Sequence, residues 1–513
     1  MATDAAATAR DPRRYAVLGL ALAAVLVRLT FLRAHLGTDE AGLLLVAAQW
    51  APGDSLYGDY WVDRPPLLLA VFSLAHLLGG ELALRLLGCA AAAASVLLAA
   101  SVGRVVAGPV AAPWSALVTA GMVSTPLFAS DEVVAELLAV PFVLAGVLGL
   151  LRARSDQGRR VPLLAAAGAA GAAAFLIKQS FADVFVAAAV MLVVDRVSAR
   201  PYGDRHSVLG TVGLFVAGAV AVVTTCLAGA ALRGTSIAGL WDAVVVFRIE
   251  AIVVIADSAS SATTERLARF PAALLASGAG LVIVAFAVRC ALFQVDRVAW
   301  FAAGLLAWEG IAVLAGGGFW MHYLVGLVPG VCMALAVVLV PAPRRRAEPD
   351  RRDLAVLMAK VSAVWALVSA LVLVPVTHIE DHHTVSTTVG ASAWLERNRL
   401  AGDTAIVAYG QASILAESGT TSPYSQLWSL PMRIRDPDLR ELEGVLRGGS
   451  APVWVLVRRD WDAWGIDPTR VARIVERDYR PVGKVCGYLI FLRDGVERTH
   501  ADKTSCRAWS RRA

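Results

Sequence analysis

Charged residues are scarce in this sequence: 17% of its 513 residues are Asp, Glu, Lys or Arg, whereas 58% are hydrophobic. A soluble chain carries about a quarter of its residues as charges, so the composition excludes an ordinary soluble enzyme and indicates a polytopic membrane protein. The net charge is +6, but the arginines stand in clusters between apolar runs. Such clusters are typical of loops that orient membrane proteins, and we expect no nucleic-acid partner.

Zinc-binding and nucleotide-binding motifs are missing as well. The six cysteines form no CxxC pair and no Cys/His cluster, so no zinc site is expected. Neither a strand–GxGxxG–helix unit nor a P-loop occurs, which disfavours an enzyme that binds a nucleotide sugar. No cleavable signal peptide is expected, because the first apolar run lacks a clear cleavage site. Cys486 and Cys506, in the polar C-terminal part, either stay free or form a disulfide in an oxidising compartment.

Long apolar runs dominate the chain as far as Val376. A membrane-spanning helix needs about 20 apolar residues. On this basis the sequence predicts eleven spans: Tyr15–Phe31, Leu82–Arg104, Val110–Phe128, Val133–Leu151, Val161–Ile177, Phe181–Val194, Leu209–Leu232, Pro271–Arg289, Val298–Leu314, His322–Val340 and Leu354–Val376. The run Pro66–Leu78 is only about half a bilayer long, so we expect an interfacial or re-entrant helix there.

The arginine clusters predict an orientation and a domain organisation. They fall in loops on one side of the predicted spans, and the positive-inside rule places those loops in the cytoplasm. The N-terminus is then cytoplasmic. We predict a transmembrane domain at residues 1–376, with outer loops at 37–81 and 233–270, and an extracytoplasmic domain at residues 377–513. High Ala and Arg content indicates a GC-rich bacterial source, and hence a multi-pass protein of the bacterial plasma membrane.

The C-terminal part has the pattern of a soluble α/β domain. Three short apolar runs predict buried strands at Ala405–Tyr409, Val453–Val457 and Tyr488–Leu492. Helical patterns occur at Ala391–Asn398, Asp438–Leu446 and Thr469–Asp478. Strands that alternate with helices favour a partly parallel sheet.

The outer loop 233–270 combines an amphipathic stretch, with Arg248 and Glu250 among apolar residues, and a run of small polar residues from Ser258. The small polar run predicts either a flexible lid or an inert linker.

Polar residues at the ends of the predicted spans fall on the outer side. They are Asp39 and Glu40, Asp63 and Arg64, Asp131 and Glu132, Lys178 and Gln179, and His322. A carboxylate can take or orient the proton of a hydroxyl nucleophile, and Arg or Lys can neutralise a departing phosphate. Each group also has a simpler interpretation as a helix cap, an interfacial anchor, a snorkelling lysine or an aromatic belt.

The order of these residues resembles that of GT-C membrane glycosyltransferases, in the branch of the protein O-mannosyltransferases and the lipid A aminoarabinose transferase. The resemblance covers about residues 15 to 345. The matching positions are Arg28, Asp39-Glu40-Ala41, Arg64-Pro65-Pro66, Arg85, Asp131-Glu132, Lys178, and Phe319-Trp320-Met321-His322-Tyr323 followed by Pro329. Two positions depart from the pattern: Arg64 stands where Lys is usual, and Gly318 stands where Arg is common. Arg248 is a candidate to replace the missing arginine.

The resemblance implies a GT-C fold of about eleven transmembrane helices and inverting transfer of a hexose or pentose from a polyprenyl-phosphate carrier. Asp39 would be the base, while Glu40 and Asp131 shape the site. The implied phosphate-binding residues are Arg64, Arg85, Lys178 and His322, and further site candidates are Asp63, Glu132, Tyr323 and Arg248. No cofactor is implied, although a divalent cation between Asp39 and Asp131 stays open. The acceptor would be a glycolipid, a cell-wall glycan or a protein.

Two other function classes stay open on the sequence alone. A transporter or lipid flippase commonly places charges near the bilayer midplane, whereas the middles of the predicted spans are nearly free of charge, with Glu309 as the main exception. A non-catalytic receptor would use the C-terminal domain for binding.

Overall fold

A computed structural model describes residues 11–156, 158–197, 208–257, 261–293, 295–341, 349–383, 387–458 and 466–499. The chain divides into two compact units, each built from three segments. The helical unit comprises Met1–Leu32, Arg85–Cys226 and Ala259–Val376, and the mixed unit comprises Arg33–Leu84, Leu227–Ser258 and Thr377–Ala513.

The described residues as far as residue 383 lie mostly in helices. They are α1 (Pro12–Leu29), α2 (Thr38–Ala48), α3 (Pro66–Leu77), α4 (Glu81–Ala107), α5 (Ala111–Ser124), α6 (Ala135–Ser155), α7 (Arg160–Ile177), α8 (Asp183–Val197), α9 (Val208–Leu232), α10 (Ile237–Trp241), α11 (Phe247–Asp257), α12 (Ser261–Ala276), α13 (Ala279–Leu292), α14 (Arg297–Ala315), α15 (Val328–Leu339) and α16 (Pro349–His383). Short 3-10 helices occupy Pro126–Phe128 and Met321–Leu327, and a π-helical turn occupies Asp242–Val246.

Within the described ranges, seven helical stretches are long and apolar enough to cross a membrane: α4, α6, α7, α9, α14, Met321–Leu339 and α16. The pair α12 and α13, bent by 74°, makes an eighth if it is one span. The other three predicted spans correspond to α1, α5 and α8; the latter two have 14 and 15 residues, and α1 carries three arginines. The prediction of a polytopic helical membrane protein is confirmed, whereas the crossing of these three helices stays a prediction.

Close backbone contacts between α7 and α9 fix the position of α7. A Cβ atom on Gly168 would lie 1.9 Å from the carbonyl oxygen of Phe215, and one on Gly218 would lie 1.9 Å from that of Ala165. Small residues permit such approaches between membrane helices, where dispersion contacts replace the hydrophobic effect. Helix α7 ends at Ile177 and Lys178 is its C-cap residue, so this packing holds one of the predicted site residues in place.

Glu309, the charge that stood apart in the predicted spans, has a structural partner. Its carboxylate accepts hydrogen bonds of 2.8 and 3.1 Å from the backbone N–H of Gly330, in the first turn of α15. The N-terminus of a helix carries unpaired N–H groups and a partial positive charge, which a carboxylate satisfies. Glu309 therefore joins α14 to the start of α15.

The C-terminal part of the mixed unit has the predicted α/β arrangement. Its elements are α17 (Thr387–Asn398), β1 (Ala405–Ala408), α18 (Ala412–Ser418), α19 (Ser429–Arg435), α20 (Arg440–Arg447), β2 (Trp454–Arg458), α21 (Thr469–Asp478), β3 (Tyr479–Val485) and β4 (Tyr488–Arg493). The strand order is β1-β2-β4-β3, with β1 and β2 parallel and the other pairs antiparallel. The sheet is therefore partly parallel, as the sequence predicts.

Strand β3 was not predicted from the sequence. It is an edge strand with Pro481 and Gly483 at a register shift, and its central residues are at least partly exposed. Proline is tolerated at such bulged edges, but this composition gives no apolar signal.

Three further predictions concern the cysteines, the small polar run and the short apolar run, and each can be compared with the structure. Cys486 is disulfide-bonded, while Cys506 lies outside the described residues. In the run proposed as a lid or linker, Ser261 to Thr264 begin α12, and the three residues before them lie outside the described residues. Helix α3 has 12 residues, the length expected of a helix that does not span.

Candidate functional site

The adjacent acids Asp39 and Glu40, in the first turn of α2, have different environments. The Glu40 carboxylate is buried and accepts the backbone N–H of Gly37, the N-cap residue, at 3.1 Å. Glu40 thus has the capping contact that the sequence left as an alternative. The Asp39 side chain is 45% exposed, and its Oδ1 accepts the indole N–H of Trp428 at 2.9 Å. Of the two acids, Asp39 is therefore the one whose carboxylate is exposed.

Asp39 belongs to a row of alternating charges in the mixed unit. Arg64 places Nη2 4.0 Å from Asp39 Oδ2 and Nη1 3.1 Å from Asp63 Oδ1. The other oxygen of Asp63 forms an ion pair with Arg248. Four predicted residues are therefore neighbours, and the Arg64 guanidinium stands between two carboxylates. Because Asp63 is buried and has two cationic partners, Asp39 is the carboxylate of this row with room for a further contact.

Tyr57 holds the backbone beneath this row. Its hydroxyl donates to the carbonyl oxygen of Arg64 at 2.6 Å, and its ring packs edge-on against Trp50. Burial, with a contribution from the nearby Asp63 carboxylate, raises the pKa of Tyr57 well above its usual range. The phenol therefore stays protonated as a hydrogen-bond donor and fixes the start of the Arg64-Pro65-Pro66 segment.

Arg435, at the end of α19, anchors the stretch that carries Arg248. Its guanidinium lies 2.6 Å from Asp242 and 3.5 Å from Glu250. Its Cζ also lies 5.4 Å from the ring centroids of both Trp61 and Phe247. These contacts join the start of α11 to the segment before Arg64. The sequence analysis missed Arg435, because its partners are about 190 and 370 residues away along the chain.

The helical unit contains a second cluster, around Lys178. The Lys178 ammonium forms an ion pair with Glu136, in the first turn of α6, and lies 4.3 Å from the ring centroid of Tyr323. His322 Nε2 is 3.8 Å from the same Glu136 oxygen. Lys178, His322 and Tyr323 are thus neighbours, and their roles at the site stay predictions. Glu136 was missed because it lies inside a predicted span, although an acid within an apolar run is itself a signal of function.

Asp131 and Glu132 are placed through their backbones. Arg85 donates to the carbonyl oxygen of Asp131. Arg28 donates to the carbonyl oxygen of Glu132 at 2.5 Å and to that of Val123 at 3.0 Å. Both arginines therefore fix the turn that leads into α6 and hence to Glu136. Side-chain roles for Asp131 and Glu132, and a phosphate-binding role for Arg85, stay predictions.

Arg266 supplies a guanidinium where Gly318 interrupts the late motif. Its Nε donates to the carbonyl oxygen of Gly318 at 2.8 Å, and its Cζ lies 4.2 Å from the ring centroid of Trp320. The Trp320 ring stacks on His322. Arg266 thus fits the missing arginine better than Arg248, which pairs with Asp63. The sequence analysis missed Arg266 because it is one of several charges in α12.

No family model and no curated protein matches the chain. Several solved structures match the chain in fold. ArnT from Cupriavidus metallidurans in the apo state aligns with 94% of this chain and 98% of its own, at a TM-score of 0.61 and 13% identity.

Two further solved structures are similar to the chain in fold. ArnT bound to undecaprenyl phosphate aligns with 93% of this chain and 97% of its own, at a TM-score of 0.55 and 12% identity. The Archaeoglobus fulgidus oligosaccharyltransferase in the apo form covers 86% of this chain and 69% of its own, at a TM-score of 0.55 and 12% identity. The chain therefore has the fold of the GT-C membrane glycosyltransferases, as the resemblance in its sequence implies.

Proposed function

We propose that this protein is a GT-C glycosyltransferase that moves a sugar from a polyprenyl-phosphate carrier to an acceptor on the outer face of the membrane. The observation that carries the proposal is the half-exposed Asp39 carboxylate beside Arg64. A membrane protein of the same fold has been solved with undecaprenyl phosphate, which supports a lipid-phosphate donor. The sugar is a hexose or a pentose, and the acceptor is a glycolipid, a cell-wall glycan or a protein.

The proposed reaction is a single displacement at the anomeric carbon. The acceptor oxygen or nitrogen forms a bond to C1, and the bond between C1 and the phosphate oxygen breaks on the opposite face, which inverts the configuration. The electron pair of the broken bond leaves with the phosphate as polyprenyl phosphate. The proton of the acceptor passes to the Asp39 carboxylate, the general base. A general base must be accessible to the acceptor. Asp39 is accessible, because its neighbours cover only part of its carboxylate.

The phosphate develops charge as it leaves, and cationic side chains stabilise that charge. The resemblance in the sequence assigns this role to Arg64, Lys178 and His322, and Arg266 is a further candidate. Arg64 in place of lysine offers a planar fork of N–H donors that suits two phosphate oxygens. Glu136 keeps the Lys178 ammonium in position, since a buried ion pair fixes a long side chain that would otherwise be mobile.

The test is the release of polyprenyl phosphate by the purified protein. A panel of polyprenyl-phosphate hexoses and pentoses would be supplied together with a crude cell-envelope fraction as acceptor. Release that depends on both the protein and one sugar supports the proposal and identifies that sugar. Folded protein that releases nothing from any donor contradicts it.

Chelation of divalent cations is expected to leave the rate of transfer unchanged. Asp39 and Asp63 both face guanidinium groups, and the described residues contain no group of three or more His, Cys, Asp or Glu side chains that could hold a metal ion. These contacts support a transfer reaction that needs no bound divalent cation. The measurement compares the rate of polyprenyl phosphate release with and without EDTA. A loss of activity that added Mg²⁺ or Mn²⁺ restores would contradict the prediction.

A further inference from the structure

The C-terminal part of the chain places one side chain directly on Asp39. Trp428 donates its indole N–H to Asp39 Oδ1 at 2.9 Å, across 389 residues of sequence. Its ring lies against Gly42, one turn further along α2, where a Cβ atom would be 2.3 Å from Trp428 Cζ2. Glycine at position 42 therefore admits the indole ring to the position from which it reaches Asp39.

The backbone around Trp428 is held on both sides. Tyr60 accepts the backbone N–H of Ser422 at 3.0 Å and donates to its carbonyl oxygen at 3.2 Å. The N–H of Trp61 donates to the carbonyl oxygen of Ser425 at 3.1 Å. On the other side, a Cβ atom on Gly410 would lie 2.9 Å from Trp428 Cα. The segment from Ser422 to Trp428 is therefore docked on the segment that precedes Arg64.

We propose that Trp428 is a positioning residue for the general base Asp39; this inference rests on the function proposed above. A carboxylate at the start of a helix can turn about its side-chain bond, and a half-exposed one has few contacts to prevent this. The hydrogen bond from Trp428 holds Oδ1, and Oδ2 is then the oxygen directed towards Arg64 and the acceptor proton. The C-terminal segment thereby completes the catalytic site, in addition to any part it has in binding the acceptor.

The replacement Trp428→Phe keeps an aromatic ring against Gly42 and removes the N–H donor. We expect the rate of transfer per bound donor to fall about 10- to 100-fold, the range for a misplaced catalytic group, while the Kd for the donor stays within about twofold. Trp454→Phe is the matched control, because the Trp454 indole N–H donates to the Asp403 carboxylate at 3.0 Å within the sheet region. Its rate per bound donor is expected to equal that of wild type.

A second pair of variants tests the inference without altering Trp428 or Asp39. Gly42→Ala is expected to displace the indole and lower the rate per bound donor by a similar factor. Gly444→Ala, at a helical glycine with open space around it, is expected to have no effect. The rates are measured in single-turnover experiments with a polyprenyl-phosphate sugar and divided by the donor-binding sites counted at equilibrium, so that a misfolded fraction does not enter them.

The outcomes separate the two proposals. Wild-type protein that turns over no donor contradicts the proposed function. If the wild type is active and both Trp428→Phe and Gly42→Ala transfer sugar at the wild-type rate, the proposed role of Trp428 is wrong and the proposed function still stands. A fall of equal size in Trp454→Phe would also overturn that role, since the effect would then follow from loss of any indole in this region. If Trp428→Phe does not fold, the rates per bound donor of Gly42→Ala and Gly444→Ala are compared instead. Equal rates in these two variants would contradict the role of Trp428.

Discussion

Asp39→Asn is expected to lower the rate of sugar transfer by about 10³-fold, because general-base catalysis contributes a factor of about 10²–10⁴. Asparagine has the same shape and can still accept the indole N–H of Trp428 through its amide oxygen, but it cannot take a proton. The fold and donor binding should therefore be retained. The measurement is the rate of polyprenyl phosphate release with a saturating donor, alongside the thermal unfolding midpoint in detergent.

The control for this variant is Asp59→Asn, in the same loop between α2 and α3. The Asp59 side chain is exposed, and its replacement removes the same charge from the same region. We expect wild-type turnover from it. Full activity in Asp39→Asn would remove Asp39 from the mechanism, and an equal loss in both variants would indicate a general effect of charge.

Lys178→Met is expected to have the second large effect, for two reasons that can be separated. The variant leaves the carboxylate of Glu136 buried without its ammonium partner, which costs about 3–5 kcal/mol of stability. In the proposed mechanism it also removes a cation from the leaving phosphate, and one such contact is worth about 10²–10³ in rate. A low activity in this variant alone would therefore have two explanations.

The double variant Glu136→Gln/Lys178→Met distinguishes them. With both charges removed, the thermal midpoint should return towards that of wild type, while kcat/KM for the donor should stay about 100-fold low. Glu136→Gln alone keeps the ammonium and should retain more activity than the double variant. If the double variant recovered both stability and activity, Lys178 would be a structural ion-pair partner and would have no part in binding phosphate.

The sequence predicts the helical fold better than it predicts the site, and the reason is physical. Apolar length predicts membrane-spanning helices directly, and each predicted span corresponds to helical structure. The orientation inferred from the arginine clusters stays a prediction. The distinction between Glu40 as a cap and Asp39 as the presented acid depends on side-chain directions within one helical turn. Two adjacent acids at a helix start give the same sequence pattern in either case, so the sequence could not assign them.

The missed residues share one property: their contacts are distant along the chain. Glu136 pairs with Lys178, 42 residues later, and lies near His322. Trp428 meets Asp39 over 389 residues. Apolar patterns are local and cannot show such pairs. Asp131 and Glu132 were favoured over Glu136 because they stand at a span end, and in the structure their carbonyl oxygens accept hydrogen bonds from Arg85 and Arg28.

The central claim is that the sugar leaves its lipid phosphate and joins an acceptor. A donor labelled differently in the sugar and in the polyprenyl chain tests this directly, with the protein in proteoliposomes and an envelope acceptor outside. We predict that the sugar label moves into the acceptor fraction, while one polyprenyl phosphate stays in the lipid for each sugar moved. Appearance of both labels together on the opposite face of the vesicle, with no sugar in the acceptor, would contradict the claim and indicate a flippase.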